Sequence, residues 1–261
     1  MDLQPHTITR VRHEVRRRTL TVSSTELLTP RMRRFGFTSP NLHDFVSASH
    51  DDHVKLFFPA VANDADGRET CIRDFTPRRF DRSLGTLIID FALHEAGPAT
   101  NWATSAQIGD TLEIGGPRGS SVVPDDFDWY LLVGDETALP AIGRRVEELR
   151  ADVPVTTFVV IDAGETQNFQ TRAAWTPHWI ARNGSTDDTT LLRTALAGYA
   201  LPNGDGFVWI AARPSPAACE TISSTISGIR GNGPRPQAIG SAGMPTPTKR
   251  SRIERVVPVG D

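Results

Sequence analysis

Cysteine is nearly missing: the 261 residues hold only Cys71 and Cys219. Two distant cysteines exclude a disulfide framework or a cysteine-rich zinc site, and they fit a reducing compartment. The seven histidines form no spaced cluster, so no metal site is expected. Basic excess is also missing. With 28 Lys and Arg against 31 Asp and Glu, the net charge is −3, which argues against a dedicated nucleic-acid binder. No apolar run reaches the length of a transmembrane helix, and "MDLQPHTITRVRHEVRRRTL" lacks the apolar core of a signal peptide. The expected location is therefore the cytoplasm, with no membrane span. Solenoid-length repeats are absent too. What remains is a globular composition, 38% hydrophobic and 23% charged, on a chain long enough for one large domain or two ordinary ones.

The first half reads as β structure. "TITRVRHEVRRRTLTVSSTELLT", "RMRRFGFTS", "DHVKLFFPA", "TLIIDFAL" and "DTLEIGGPRGS" are short β-prone runs separated by Gly, Pro, Asn and Asp, the pattern of an antiparallel sheet or barrel. The N-terminal arginines alternate with apolar residues and are expected on the solvated face of a strand. Near residue 124 the pattern changes. "WYLLVGDETALPAIGRRVEELR" reads as strand, tight turn and helix, with Leu139, Ile142, Val146 and Leu149 on one helical face and Pro140 in the first turn. "PVTTFVVIDAGE" and "GFVWIAAR" read as two more buried strands. "SPAACETISSTISGIR" reads as a helix presenting Ile222, Ile226 and Ile229. Strands alternating with helices predict a parallel sheet covered on both faces. The expected division is a β-barrel over 1–124, a small α/β domain over 125–230, and a Gly/Pro-rich, loosely attached tail over 231–261.

The chemistry concentrates in "RDFTPRRFD", residues 73–81. An arginine fork grips phosphate oxygens in a bidentate way, an aromatic lies against a planar ring, and a threonine hydroxyl bonds a ring nitrogen. A nucleotide with a heteroaromatic head needs all three. Alone, the stretch reads equally as an arginine-rich surface strand. Downstream, "GPATNWA" (97–103) offers a Gly-Pro entry to a helix whose N-terminus favours an anion, and "GGPRGS" (115–120) is a second Gly-rich turn with an arginine. Three such pieces in order, ahead of an α/β domain, favour the nucleotide.

Together "RDFTPR", "DFALHEAGPATNWA", "GDTLEIGGPRGS" and "LLVGDETALPAI" resemble the siderophore-interacting protein family. These are flavin-dependent ferric-siderophore reductases within the ferredoxin–NADP reductase-like superfamily. The resemblance implies an N-terminal FAD-binding barrel followed by a parallel-sheet pyridine-nucleotide domain, with NADH or NADPH as electron donor, ferredoxin as an alternative donor, and a ferric siderophore as acceptor. Carried over residue by residue, it puts Arg73 on the FAD pyrophosphate with Arg78 in support, and Thr76 at the reactive flavin nitrogen as the catalytic contact. Asp74 and Phe75 belong to the same contact strip, Phe75 standing where the family carries Tyr. Asp90, Phe91 and His94 match a second flavin-contacting stretch, and Gly97, Pro98, Ala99 and Thr100 a third. Gly134, Asp135 and Thr137 fall in the loop that receives the nicotinamide nucleotide. That loop is not a G-x-G-x-x-G fingerprint. Asp162, after the second α/β strand, is an acceptor for a ribose hydroxyl or else a turn cap. Lys55 is the candidate for attracting an anionic siderophore, or else an exposed strand lysine.

The chain departs from the family pattern where Ala212-Arg213 replaces Gly-Glu, and again near its end, where "IGSAGMPTPTKRS" stands in place of a Gly-Tyr-Trp stretch. Two alternatives therefore stay open: a related flavin reductase with another acceptor, and a non-catalytic flavin- or siderophore-binding protein.

Overall fold

Period-two alternation builds the first half of the molecule. In the computed structural model, which describes residues 6–59, 70–94, 97–184, 187–211, 216–228 and 238–241, residues 8–123 cluster into one unit. Its elements are β1 (Thr9–Arg12), β2 (Arg17–Thr29), β3 (Met32–Thr38), β4 (Val54–Pro59), β5 (Thr70–Phe75), β6 (Arg79–Asp81), β7 (Thr86–Ala92), α1 (Pro98–Ser105), β8 (Thr111–Gly115) and β9 (Gly119–Val122). Seven strands form an antiparallel sheet in the order β5-β4-β8-β2-β3-β7-β6, and β1 pairs with β9 beside it. Alternate residues point inward: Leu20 and Val22, Phe35 and Phe37, Val54, Leu56 and Phe58, Leu87, Ile89 and Phe91, Leu112 and Ile114. The sheet curls over this core. The Phe75 ring at one edge lies 4.4 Å from that of Phe91, near the other edge, giving the expected barrel-like form.

One alternative reading and one expectation need correction here. "RDFTPRRFD" is not one strand: Thr76, Pro77 and Arg78 separate β5 from β6, because proline cannot donate to a ladder. Arg18 is not on the solvated face either. It is buried with Leu20 and Val22, donating from Nη2 to Asp44 at 2.8 Å and from Nε to the Asn41 carbonyl at 2.9 Å. A guanidinium can enter the core face when its fork is satisfied this way.

The second unit runs from Pro124 onward and takes in His6 and Thr7. His6 is held there, its ring stacked 4.2 Å from Phe127 and its Nδ1 2.8 Å from Asp126. The elements are β10 (Trp129–Asp135), α2 (Leu139–Glu148), β11 (Pro154–Ile161), β12 (Ala174–Ala181), α3 (Asp188–Leu196), β13 (Gly206–Ala211), α4 (Pro216–Gly228) and β14 (Ala238–Ser241). The sheet is parallel throughout, in the order β12-β11-β10-β13-β14. Trp129, Leu131 and Val133 share a core with Leu192, Leu196, Ile222 and Ile226, so α3 and α4 cover one face. Tyr130 points the other way, toward α2, where the Arg145 guanidinium sits 4.8 Å from its ring. Leu139, Ile142, Val146 and Leu149 are all buried, as their spacing predicts, while Ile229 lies outside the described residues.

Strand β12 and helix α3 escape the sequence reading. Pro177 interrupts the β pattern of "AWTPHWIA", and the strand is tolerated because β12 is the sheet edge, where one row of amides needs no partner. In the segment expected to be a loose tail, Ala238–Ser241 pairs with β13 as β14; its other residues lie outside the described residues.

Gly134 holds β10 against α2. A Cβ there would stand 2.5 Å from Ala138 Cβ and 2.6 Å from the Ala211 carbonyl oxygen, so its role is close approach and not turn geometry. Gly134→Ala is expected to destabilise this unit by about 1–3 kcal/mol through overpacking. A denaturation midpoint unchanged from wild type would contradict that packing.

Candidate functional site

Strand β5, at one edge of the sheet, carries the first three residues of the motif. Its ladder with β4 sets Arg73 opposite Leu56, Asp74 opposite Lys55 and Phe75 opposite Val54. Strand geometry then splits the motif. Arg73 is exposed, its Nη1 donating to the Ile72 carbonyl at 2.9 Å, while Phe75 leans on Phe91 and Phe58. Thr76 and Arg78 are buried where the chain leaves the strand, and the Arg78 amide donates to the Ile88 carbonyl at 2.9 Å. An exposed arginine and a half-buried ring on β5 are thus followed by a buried hydroxyl just beyond the strand.

Helix α1 starts beyond β7. Gly97 is its extended N-cap, Pro98 fills the first turn, and no side chain caps the helix. The amides of this first turn, together with the dipole, favour an anion. Trp102 anchors the helix, its ring centroid 5.1 Å from Phe35 and 5.6 Å from Phe91. The other end is clamped: Arg33 Nη1 donates to the Ala103 and Thr104 carbonyls at 2.9 and 3.2 Å. Arg33 thereby occupies carbonyls that a helix end leaves open. Within this unit, then, β5 offers a cation and a ring, Thr76 just beyond it a hydroxyl, and α1 an uncapped N-terminus. That donor set fits the pyrophosphate and flavin ring of FAD.

Several candidate residues have different surroundings from those expected. Phe91 is buried in the aromatic core and backs Phe75. Asp90 is also buried. Arg34 grips it with a two-point fork, Nε to Oδ1 at 2.7 Å and Nη2 to Oδ2 at 2.8 Å, and Arg78 Nε stands 3.7 Å from Oδ2. The carboxylate therefore orients two arginines on the face of the sheet that turns away from the aromatic core. His94 is exposed, and Glu95 and Ala96 beside it lie outside the described residues. Lys55 Nζ donates to both Asp74 oxygens, at 2.9 and 3.2 Å, so much of its charge is directed at that strand neighbour. In "GGPRGS", Gly119 is explained by pairing: a Cβ would meet the Val11 carbonyl oxygen of β1 at 2.5 Å.

In the second unit Asp135 is fully buried at the end of β10, and its Oδ1 accepts from the Thr137 amide at 2.8 Å and from the Thr137 hydroxyl. These two residues build the turn after the strand. Asp162 follows β11 and lies 3.4 Å from Arg182 Nη1. Arg182 also donates to Glu136 and to Asp188. Burial and the charge of Asp135 raise the Glu136 pKa, partly offset by Arg182. Arg33, Arg34, Arg182 and Asp188 were invisible to motif reading, because each acts on a partner distant in sequence or on a newly found element. The adjacent arginines in "RMRRFGF" were the one available signal.

Comparison with known proteins bears on the family and the fold. Residues 127–218 match the family model "Siderophore-interacting protein", and residues 21–66 and 60–121 match "Siderophore-interacting FAD-binding domain". The NADPH-dependent ferric-chelate reductase of Escherichia coli (strain K12) is 34% identical over 227 residues, covering 80% of this chain and 87% of the relative. A siderophore utilization protein from T. fusca superposes with a TM-score of 0.78 at 34% identity, over 91% of this chain and 95% of that one. The siderophore-interacting protein SipS from Aeromonas hydrophila gives 0.68 at 26% identity, over 87% and 91%. More distant superpositions, such as the cytochrome b5 reductase domain of Ulva prolifera nitrate reductase at 12% identity and a TM-score of 0.57, share the fold. With its barrel motif, its α/β unit and these relatives in agreement, the chain belongs to the siderophore-interacting protein family.

Proposed function

We propose that the protein is a flavin-dependent ferric-siderophore reductase, taking electrons from NADH or NADPH and delivering them to Fe(III) in a siderophore, with Fe(II) released. The observation that carries this reading is the presence in one unit of Arg73 and Phe75 on β5, Thr76 just after it and the uncapped N-terminus of α1, in a chain of this family. When bound, FAD supplies the hydride-accepting and electron-donating chemistry. Arg73 binds its pyrophosphate together with the amides following Gly97, Phe75 supports the flavin body, and Thr76 hydrogen-bonds the ring edge. Arg78 stays beside that edge because its guanidinium faces the Asp90 carboxylate, which the Arg34 fork holds in place. Arg33 fixes α1 so that its N-terminus stays on the phosphate. In the second unit, the carboxyl ends of the strands receive the nicotinamide nucleotide.

Fe(III) in a siderophore is the substrate, and its reduction weakens binding by hard anionic oxygen ligands. No helix among the described residues is long and apolar enough to cross a membrane. The reading places the enzyme in the cytoplasm, working on imported chelates. Ala212 and Arg213, where the chain departs from the family pattern, lie outside the described residues.

The test is anaerobic visible spectroscopy of the FAD-loaded protein. Bleaching of the flavin by NADH or NADPH is expected, with recovery of colour on adding a ferric siderophore and capture of Fe(II) by a chelator. Flavin that is bleached only by reduced ferredoxin would replace the donor. Flavin reoxidised by quinone or free flavin but not by ferric siderophores would replace the acceptor. No binding at saturating FAD would sink the assignment.

A further inference from the structure

Three adjacent parallel strands end on charge. Glu136 directly follows β10, Asp162 follows β11, Arg182 follows β12, and Asp188 opens α3. The Arg182 guanidinium is committed on every nitrogen. Nε and Nη2 donate to the two oxygens of Asp188, each at 2.8 Å. Nη2 also donates to Glu136, and Nη1 to Asp162 at 3.4 Å. One cation therefore faces three carboxylates. The four side chains are not equally accessible: Asp162 is 32% exposed, against 14–18% for Glu136, Arg182 and Asp188.

In open parallel sheets, dinucleotides lie across the carboxyl ends of the strands. An acidic residue after the second strand accepts from the adenosine ribose when the ligand is NAD, and an arginine accommodates the 2′-phosphate when it is NADP. Here the acidic residue is present, and the nearby arginine is already clamped. To serve a 2′-phosphate, Arg182 would have to leave its two-point contact with Asp188 and expose three carboxylates to a dianionic group. A ribose hydroxyl asks only for an acceptor, which the more accessible Asp162 supplies.

We infer that the Glu136–Asp162–Arg182–Asp188 cluster makes this protein selective for NADH over NADPH, unlike its NADPH-dependent relative. The inference rests on the reductase reading above and names its electron donor. Asp162 is the ribose acceptor. Glu136 and Asp188 hold Arg182 away from any phosphate and add the negative charge that disfavours one.

The test is direct binding, independent of turnover. ADP-ribose and 2′-phospho-ADP-ribose are titrated calorimetrically into the FAD-loaded protein. ADP-ribose is expected to bind at least about tenfold more tightly, a gap that narrows as added salt screens the carboxylates. In the double variant Glu136→Gln/Asp162→Asn the gap is expected to fall to about threefold or less, through gained affinity for the phosphorylated ligand. Equal or tighter binding of 2′-phospho-ADP-ribose to wild type, or an unchanged gap in a folded double variant, overturns the inference and leaves the reductase reading standing. Failure of both ligands to bind, with the flavin in place and inert to NADH and NADPH, overturns the nucleotide donor itself and this inference with it.

Discussion

Replacing Asp90 with alanine is expected to lower the stability of the barrel unit by about 3–5 kcal/mol, as for loss of one partner from a buried ion-pair network. Asp90 is buried between the fork of Arg34 and the guanidinium of Arg78, so its removal takes away the carboxylate that faces both. The buried Arg78 and the half-buried Arg34 then face each other without a carboxylate, and Arg78 loses the group that orients it beside Thr76. The same variant is therefore expected to bind FAD more weakly, even at temperatures where it remains folded. Chemical denaturation of the apoprotein reads the first effect and flavin titration reads the second. Asp90→Asn separates them, because an amide of the same shape keeps one acceptor for Arg34 without the charge. A denaturation midpoint within experimental error of wild type for Asp90→Ala would show that the network carries no such energy.

The second large effect is expected at Arg73. Its guanidinium is exposed at the barrel edge and donates within the protein to the neighbouring Ile72 carbonyl, so Arg73→Ala removes little from the fold. A charge-assisted bond to phosphate is worth about 1.5–3 kcal/mol, which corresponds to an FAD affinity lower by about 10- to 100-fold. Arg73→Lys is expected to recover only part of that loss, since an ammonium cannot make the two-point contact of a guanidinium. Flavin fluorescence titration measures the affinities, and thermal denaturation of the apoproteins checks that the fold is intact. Undiminished FAD affinity in Arg73→Ala would move the pyrophosphate away from β5.

These two variants contrast in a way that separates the legible from the hidden. Arg73, Phe75 and Thr76 could be proposed from the chain because they stand within four residues of one another, so their order is legible whatever the fold. The same holds for Gly97-Pro98, where an uncapped helix start is written in adjacent residues. Arg34 carries no such mark. Its importance depends on β3 pairing with β7 in the register that sets Arg34 opposite Asp90, 56 residues away. The cluster on Arg182 is hidden for a related reason: β12 is an edge strand with a proline in it, and its own pattern is too weak to announce where it ends.

By itself, then, the amino-acid sequence determined the two-part architecture, since hydrophobic periodicity of two and then of 3.6 residues is a local property that each element carries independently. It also determined the family, because the stretches that carry the resemblance are runs of contiguous residues. Only the tertiary structure decided which charges are spent on one another: Lys55 on Asp74, Asp90 on Arg34 and Arg78, Asp162 on Arg182. Ion pairing depends on distance in space and on burial, and strand register and sheet order set both through residues far apart in the chain.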